Sequence, residues 1–167
     1  MDTALHRDFR EFLKSLTQEG VEFLVIGGYA VIAHGYFRST GDLDVWVRIS
    51  DENARRLVEA LGKFGFASPD LTPASFLTKG AIVRMGRIPH RIEILNDIAG
   101  VDFNECYPRR LRGRLDDLEV PLIALDDLKR NKKAAGRHKD LTDVEELSCP
   151  TARERKARKR NAPRKRR

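Results

Sequence analysis

The sequence predicts an α+β fold, a small mixed β-sheet flanked by helices, and three observations carry that expectation. The unbroken apolar run Phe23-Leu24-Val25-Ile26 is followed at once by Gly27-Gly28 and a helix-compatible stretch, the pattern of a buried strand turning into a helix. Asp42-Leu43-Asp44-Val45-Trp46-Val47 begins by alternating polar and apolar residues, as a strand with one buried face does. Residues 81–85 and 90–95 read as a hairpin, whereas apolar residues elsewhere recur at helical spacing. With 167 residues, 41% of them apolar, the chain can bury one core and leaves no room for a separate second domain.

Taken in order, Leu5, Phe9, Phe12, Leu13 and Leu16 define a first amphipathic helix, which Gln18-Glu19-Gly20 ends before the Phe23 strand. The Gly27-Gly28 turn leads into a short helix over Tyr29 to His34. After the Asp42 strand, Asp51 is the expected N-cap of a helix from Glu52 to Phe64. Leu57, Val58, Leu61 and Phe64 would point inward there, and Gly65 would close it. Ser, Pro and Thr are frequent between Ala67 and Lys79, which predicts loop with a short helical turn. The hairpin follows, its connection expected at Gly86-Arg87-Ile88-Pro89. Asp126-Asp127 can start a helix bearing Lys129, Lys132 and Lys133. Beyond the Gly136 break, Leu141, Val144 and Leu147 predict the apolar face of a last helix.

Three of these features carry chemistry. Unpaired amides at the start of a helix favour a phosphate, and glycines there let the ligand approach the backbone, although Gly27-Gly28 serves equally as a plain strand-to-helix turn. As a strand, residues 42–47 project Asp42 and Asp44 side by side. Unneutralised they would repel until one took up a proton, and a divalent cation resolves that conflict; the other reading is an edge strand with two surface acids. Glu93 would share a face with Arg91, opposite Ile92 and Ile94. If its strand neighbours that of Asp42 and Asp44, it completes a three-carboxylate cluster; alone it reads as a surface residue.

Charge is distributed unevenly. Thr151 to Arg167 holds ten Lys or Arg against Glu154 alone, a net +9 in a chain whose total is +7, so Met1 to Pro150 carries −2. The expected division is therefore a folded domain over 1–148 and a basic, disordered tail over 149–167. Such a tail attracts RNA or DNA through counterion release, without base stacking because it lacks aromatic residues; a merely solubilising extension is the plainer reading. No apolar run approaches the ~20 residues needed to cross a bilayer, and no hydrophobic signal segment opens the chain, so a cytoplasmic protein with no membrane partner is expected. Cys106 and Cys149 read as reduced thiols, and the four histidines lack paired spacing for zinc.

Gly27-Gly28, the stretch Arg38-Ser39-Thr40-Gly41-Asp42-Leu43-Asp44 and the later Glu93 strand resemble the minimal nucleotidyltransferase superfamily, whose fold is that of the polymerase β catalytic domain. The resemblance extends to prokaryotic members that include abortive-infection and toxin-antitoxin nucleotidyltransferases. The segment from Asp127 to Asp143 is similar to their C-terminal helices, where a lysine and an Arg-x-Lys-Asp turn, here Arg137 to Asp140, lie near the nucleotide. Many active relatives carry Gly-Ser where this chain has Gly27-Gly28, and aspartate where it has Glu93. Ser39 or backbone amides would then replace the missing serine hydroxyl.

The resemblance implies transfer of a nucleoside monophosphate from a nucleoside triphosphate to a hydroxyl. Asp42, Asp44 and Glu93 would hold two magnesium ions, or manganese in their place. Gly27 and Gly28 would hold the phosphates, Arg38, Lys132 and Arg137 would contact phosphate or base, and Asp140 would orient Lys132 or Arg137. For Lys132 the competing reading is the solvated face of a lysine-rich helix. The basic tail makes RNA, especially a transfer RNA end, the leading acceptor, with a partner protein as the other. From a different class, a non-catalytic antitoxin or regulatory partner fits the same motifs. An aminoglycoside-modifying role is weaker, because no acidic lining suited to a cationic drug is evident.

Overall fold

A computed structural model describes residues 5–149. Helix α1, Arg7–Gln18, precedes strand β1, Phe23–Ile26, which runs without a break into helix α2, Gly27–Ala33. Strand β2, Leu43–Val47, is followed by helix α3, Asp51–Phe64, and a 3-10 turn at Pro73–Phe76. Strands β3, Ile82–Arg87, and β4, His90–Leu95, form the hairpin; helix α4, Phe103–Cys106, then leads to strands β5, Leu111–Leu115, and β6, Leu118–Leu122. Helices α5, Leu125–Ala135, and α6, His138–Ser148, close the described fold.

The six strands form one mixed sheet in the order β3-β4-β2-β1-β6-β5. Antiparallel β1 and β2 sit at its centre, β2 pairs in parallel with β4, and β1 pairs in parallel with β6. Alternation sends Leu43, Val45 and Val47, with Ile92 and Ile94, to one face, where all five are buried. Asp44, Trp46, Arg91, Glu93 and Leu95 take the other. On the buried side, α1 packs on α3 through Phe12 against Phe64 and a hydrogen bond from Ser15 Oγ to the Ala60 carbonyl, 2.7 Å.

Several local expectations change in the fold. Ser50 rather than Asp51 caps α3, because its side chain accepts from the Asn53 amide and leaves Asp51 in the first helical turn beside the dipole. Gly65, at φ +95°, closes that helix as expected. The hairpin connection is only Ile88-Pro89, since Gly86 and Arg87 pair with Arg91 and His90. Leu141 is exposed: α6 turns Asp140, Asp143 and Val144 inward instead, for reasons that lie in the site. The β5–β6 hairpin, absent from the sequence reading, turns at Asp116 with φ +54° and carries Pro121 inside a strand, both unfavourable signals for pairing. Ser148 ends α6, and the basic stretch 151–167 lies outside the described residues.

Candidate active site

The carboxylates come together through strand register. Asp44 is the second residue of β2, and the parallel pairing with β4 sets it directly across from Glu93. Asp42 precedes the strand at the same end. Gly27 stands at the adjoining end of β1, with φ +64°, and a β-carbon there would collide with the Asp44 carboxylate. A β-carbon at Gly28 would likewise collide with the Thr40 hydroxyl, and one at Gly41 with the Pro89 carbonyl. These glycines therefore allow three chain segments to close around one point.

That point is the floor of a cleft of about 590 Å³, lined by Gly27, Gly28, Asp42, Asp44 and Glu93 on the sheet side and by Lys132, Arg137 and Asp140 on the helical side. Of the residues singled out from sequence, Arg38 also lines it; Ser39 is exposed and does not, and its neighbour Thr40 presents a hydroxyl there instead. Helix α5 is docked where the loop after β4 passes under it. Asn131 Nδ2 donates to the Ala99 carbonyl at 2.9 Å, and Gly100 leaves no room for a β-carbon beside Ala134.

Lys132 is not on a solvated face. Its side chain is 6% exposed and its Nζ lies 3.0 Å from Asp140 Oδ1 and 2.8 Å from Asp143 Oδ2. Arg137 Nε holds Asp140 at 2.7 Å, and Arg38 grips Asp143 with two parallel bonds of 2.7 and 2.8 Å. Burial alone would raise these two carboxyls, but the hydrogen bonds from Arg137 and Lys132 to Asp140, and from Arg38 and Lys132 to Asp143, outweigh it and hold both below the ordinary carboxylate range. Asp143 was not singled out from sequence; its spacing of three residues from Asp140 puts both on one helical face, which was the available signal. The same pairing explains why Leu141 is turned outward.

The three sheet carboxylates are treated differently. The Asp44 carboxylate has no hydrogen bond or ion pair among the described residues, and burial, reinforced by the charges of Glu93 and Asp42, pushes it up to about 7. Arg91 Nη2 lies 2.9 Å from Asp42 Oδ2 and 3.0 Å from Glu93 Oε1, while Arg84 Nε lies 2.9 Å from Glu93 Oε1. Among the described residues no three His, Cys, Asp or Glu side chains converge, as they stand, into a set that could hold one metal ion. The donor chemistry nevertheless suits a hard divalent cation, since the mutual repulsion felt by Asp44 is what such an ion relieves.

No protein-family model matches this chain, nor does any curated protein. Solved structures do. The crystal structure of TM1012 from Thermotoga maritima, described as a "putative nucleotidyltransferase", superposes with a TM-score of 0.56 at 16% identity, covering 86% of this chain and 94% of that one. The solution structure of the antibiotic-resistance factor ANT(2'')-Ia superposes with a TM-score of 0.59 at 13% identity, covering 88% of this chain and 84% of that one. The chain therefore has a nucleotidyltransferase-like fold. Among the described residues no helix is long and apolar enough to cross a membrane.

Proposed function

We propose that this protein is a metal-dependent nucleotidyltransferase, moving a nucleoside monophosphate from a nucleoside triphosphate to a hydroxyl acceptor. The observation that carries the reading is the β2–β4 register, which sets Asp44 against Glu93 beside the Gly27 backbone, opposite the cations of α5 and α6. Asp42, Asp44 and Glu93 would hold magnesium or manganese, which when bound neutralises phosphate oxygens and favours deprotonation of the attacking hydroxyl. Gly27 and Gly28 give the phosphates a wall without β-carbons. Arg137, 79% exposed at the side chain, and Lys139 face the cleft and can meet the charge that moves onto the leaving pyrophosphate. Lys132 and Arg38, engaged by Asp140 and Asp143, hold that cationic wall in place.

The lining also bears on the acceptor. Six cations, Arg38, Arg84, Arg91, Lys132, Arg137 and Lys139, line the cleft with five carboxylates, a balance that suits a metal-bound anionic partner better than a cationic drug such as an aminoglycoside. RNA, attracted further by the tail, is the acceptor we favour, and the sequence resemblance makes a place in a toxin-antitoxin pair the physiological setting we propose. The test incubates the full chain with total RNA, magnesium and each α-labelled nucleoside triphosphate, beside Asp42→Ala with Asp44→Ala. Label should move to RNA with the native protein and fall at least ~10³-fold in the folded double variant. Removal of residues 151–167 should weaken acceptor binding and its salt dependence, leaving metal binding intact. Full activity in the double variant would refute the metal assignment. Nucleotide binding without transfer would favour a protein acceptor or a non-catalytic partner role.

A further inference from the structure

Arg91 and Arg38 are both arginines on carboxylates of one cleft, yet they are held in opposite ways. Arg38 uses Nε and Nη2 as a fork on both oxygens of Asp143, which is 1% exposed at the side chain. Arg91 touches Asp42 and Glu93 through the single nitrogen Nη2, and its Nε is buried with no hydrogen-bond partner. A buried donor left unpaired is uncommon and costs free energy, so this arginine is not at a site that satisfies it. Its two partners are also two of the three carboxylates assigned above to the cation.

We propose that Arg91 is an internal counter-ion which a divalent cation displaces from Asp42 and Glu93, and that the released guanidinium then takes a phosphate of the incoming triphosphate. This rests on the metal-site reading given under Proposed function. The physical reasoning is one of competition. Nη2 takes one oxygen of each carboxylate and sets a positive charge beside both, so free metal ions bind against that charge and against the cost of separating Arg91 from the oxygens it holds. A metal-triphosphate complex meets less opposition, because it brings the anion that the displaced arginine needs, and a planar guanidinium matches a phosphate with two parallel hydrogen bonds. Metal and triphosphate therefore bind cooperatively, with Arg91 as the element whose position both of them bias. Arg84 remains on Glu93 from the edge strand and does not bridge.

The experiment measures manganese binding to the full chain by the paramagnetic resonance signal of the free ion, with and without a triphosphate analogue that cannot be cleaved at the α-phosphorus. Arg91→Gln should bind manganese alone roughly 5- to 10-fold tighter than the native protein, and the enhancement of manganese affinity by the analogue should shrink by a similar factor. Arg91→Lys, which keeps the charge but loses the fork, should lie between. Lys139→Gln removes the same charge from the cleft wall without removing a carboxylate contact, and should change manganese affinity less than about twofold. Unchanged affinity in a folded Arg91→Gln variant overturns the proposal, as does an equal gain in Lys139→Gln, which would reduce the effect to the general field. If the native protein binds manganese no better than Asp42→Asn does, the metal-site reading itself falls, and this inference with it.

Discussion

Two clusters of acid and base face each other across the cleft, built from the same residue types and balanced in opposite ways. On the helical side, Asp140 and Asp143 are each held by two cations and Lys132 by two carboxylates, and the network is closed. On the sheet side, the Asp44 carboxylate has no partner among the described residues, Asp42 has only Arg91, and Glu93 shares that one nitrogen of Arg91 while also meeting Arg84, so two arginines serve three carboxylates. A buried charge whose hydrogen bonds are all satisfied is framework, because any ligand would have to break more than it makes. Carboxylates left short of positive charge are an incomplete site, and their repulsion is free energy that a cation can recover. The helical cluster therefore sets where α5 and α6 stand, and the sheet cluster is where chemistry is expected.

The contrast can be broken from either side. The largest stability loss is expected for Lys132→Ala, which strips a cation from two buried carboxylates at once; urea unfolding should read a loss of about 3–5 kcal/mol. A sheet-side counterpart should lose less stability and should also slow the transfer we propose. Gly27→Ala places a β-carbon against Asp44 at φ +64°, so we expect about 1–3 kcal/mol of destabilisation together with a fall in nucleotidyl transfer of tenfold or more. An unaltered rate would mean that Asp44 can move without consequence.

The smallest effect concerns pH. Because the folded-state value of Asp44 lies above its unfolded value, its contribution to stability is full below about pH 4 and is lost as pH rises through about 7. In chelator, thermal unfolding of native protein minus that of Asp44→Asn should therefore decline from pH 5 to pH 8, on the order of 1–2 kcal/mol once water enters the open cleft. Magnesium should reverse the decline if it binds as we propose, since it would ligate the ionised carboxylate. A flat difference would remove the distinction between the two clusters.

Much of the fold is readable from spacing alone, and the reasons are local. The apolar run at Phe23, the helical recurrence from Leu5 to Leu16 and the alternation around Ile92 each report a period that one element imposes. The failures share a different cause. Leu141 looks like a core residue until Lys132 and Arg38 are found on the other face of its helix. Asp116 and Pro121 hide the last hairpin because β6 is held by β1, more than ninety residues upstream in the chain, rather than by its own propensity. Ser39 and Thr40 are one residue apart, and only the way this loop passes Gly28 selects the threonine.

The sequence by itself determined which residue types the proposed site can draw on, three carboxylates, two glycines and a lysine-arginine helical segment, because the metal and phosphate chemistry we propose admits few alternatives. It also determined the charge separation between residues 1–150 and the tail, which is plain arithmetic on composition. Only the tertiary structure decided which acids are satisfied and which are not. That distinction depends on interactions that fall off steeply with distance and dielectric, between residues as far apart as Arg38 and Asp143 or Asp42 and Arg91, and sheet register fixes those separations where spacing along the chain does not.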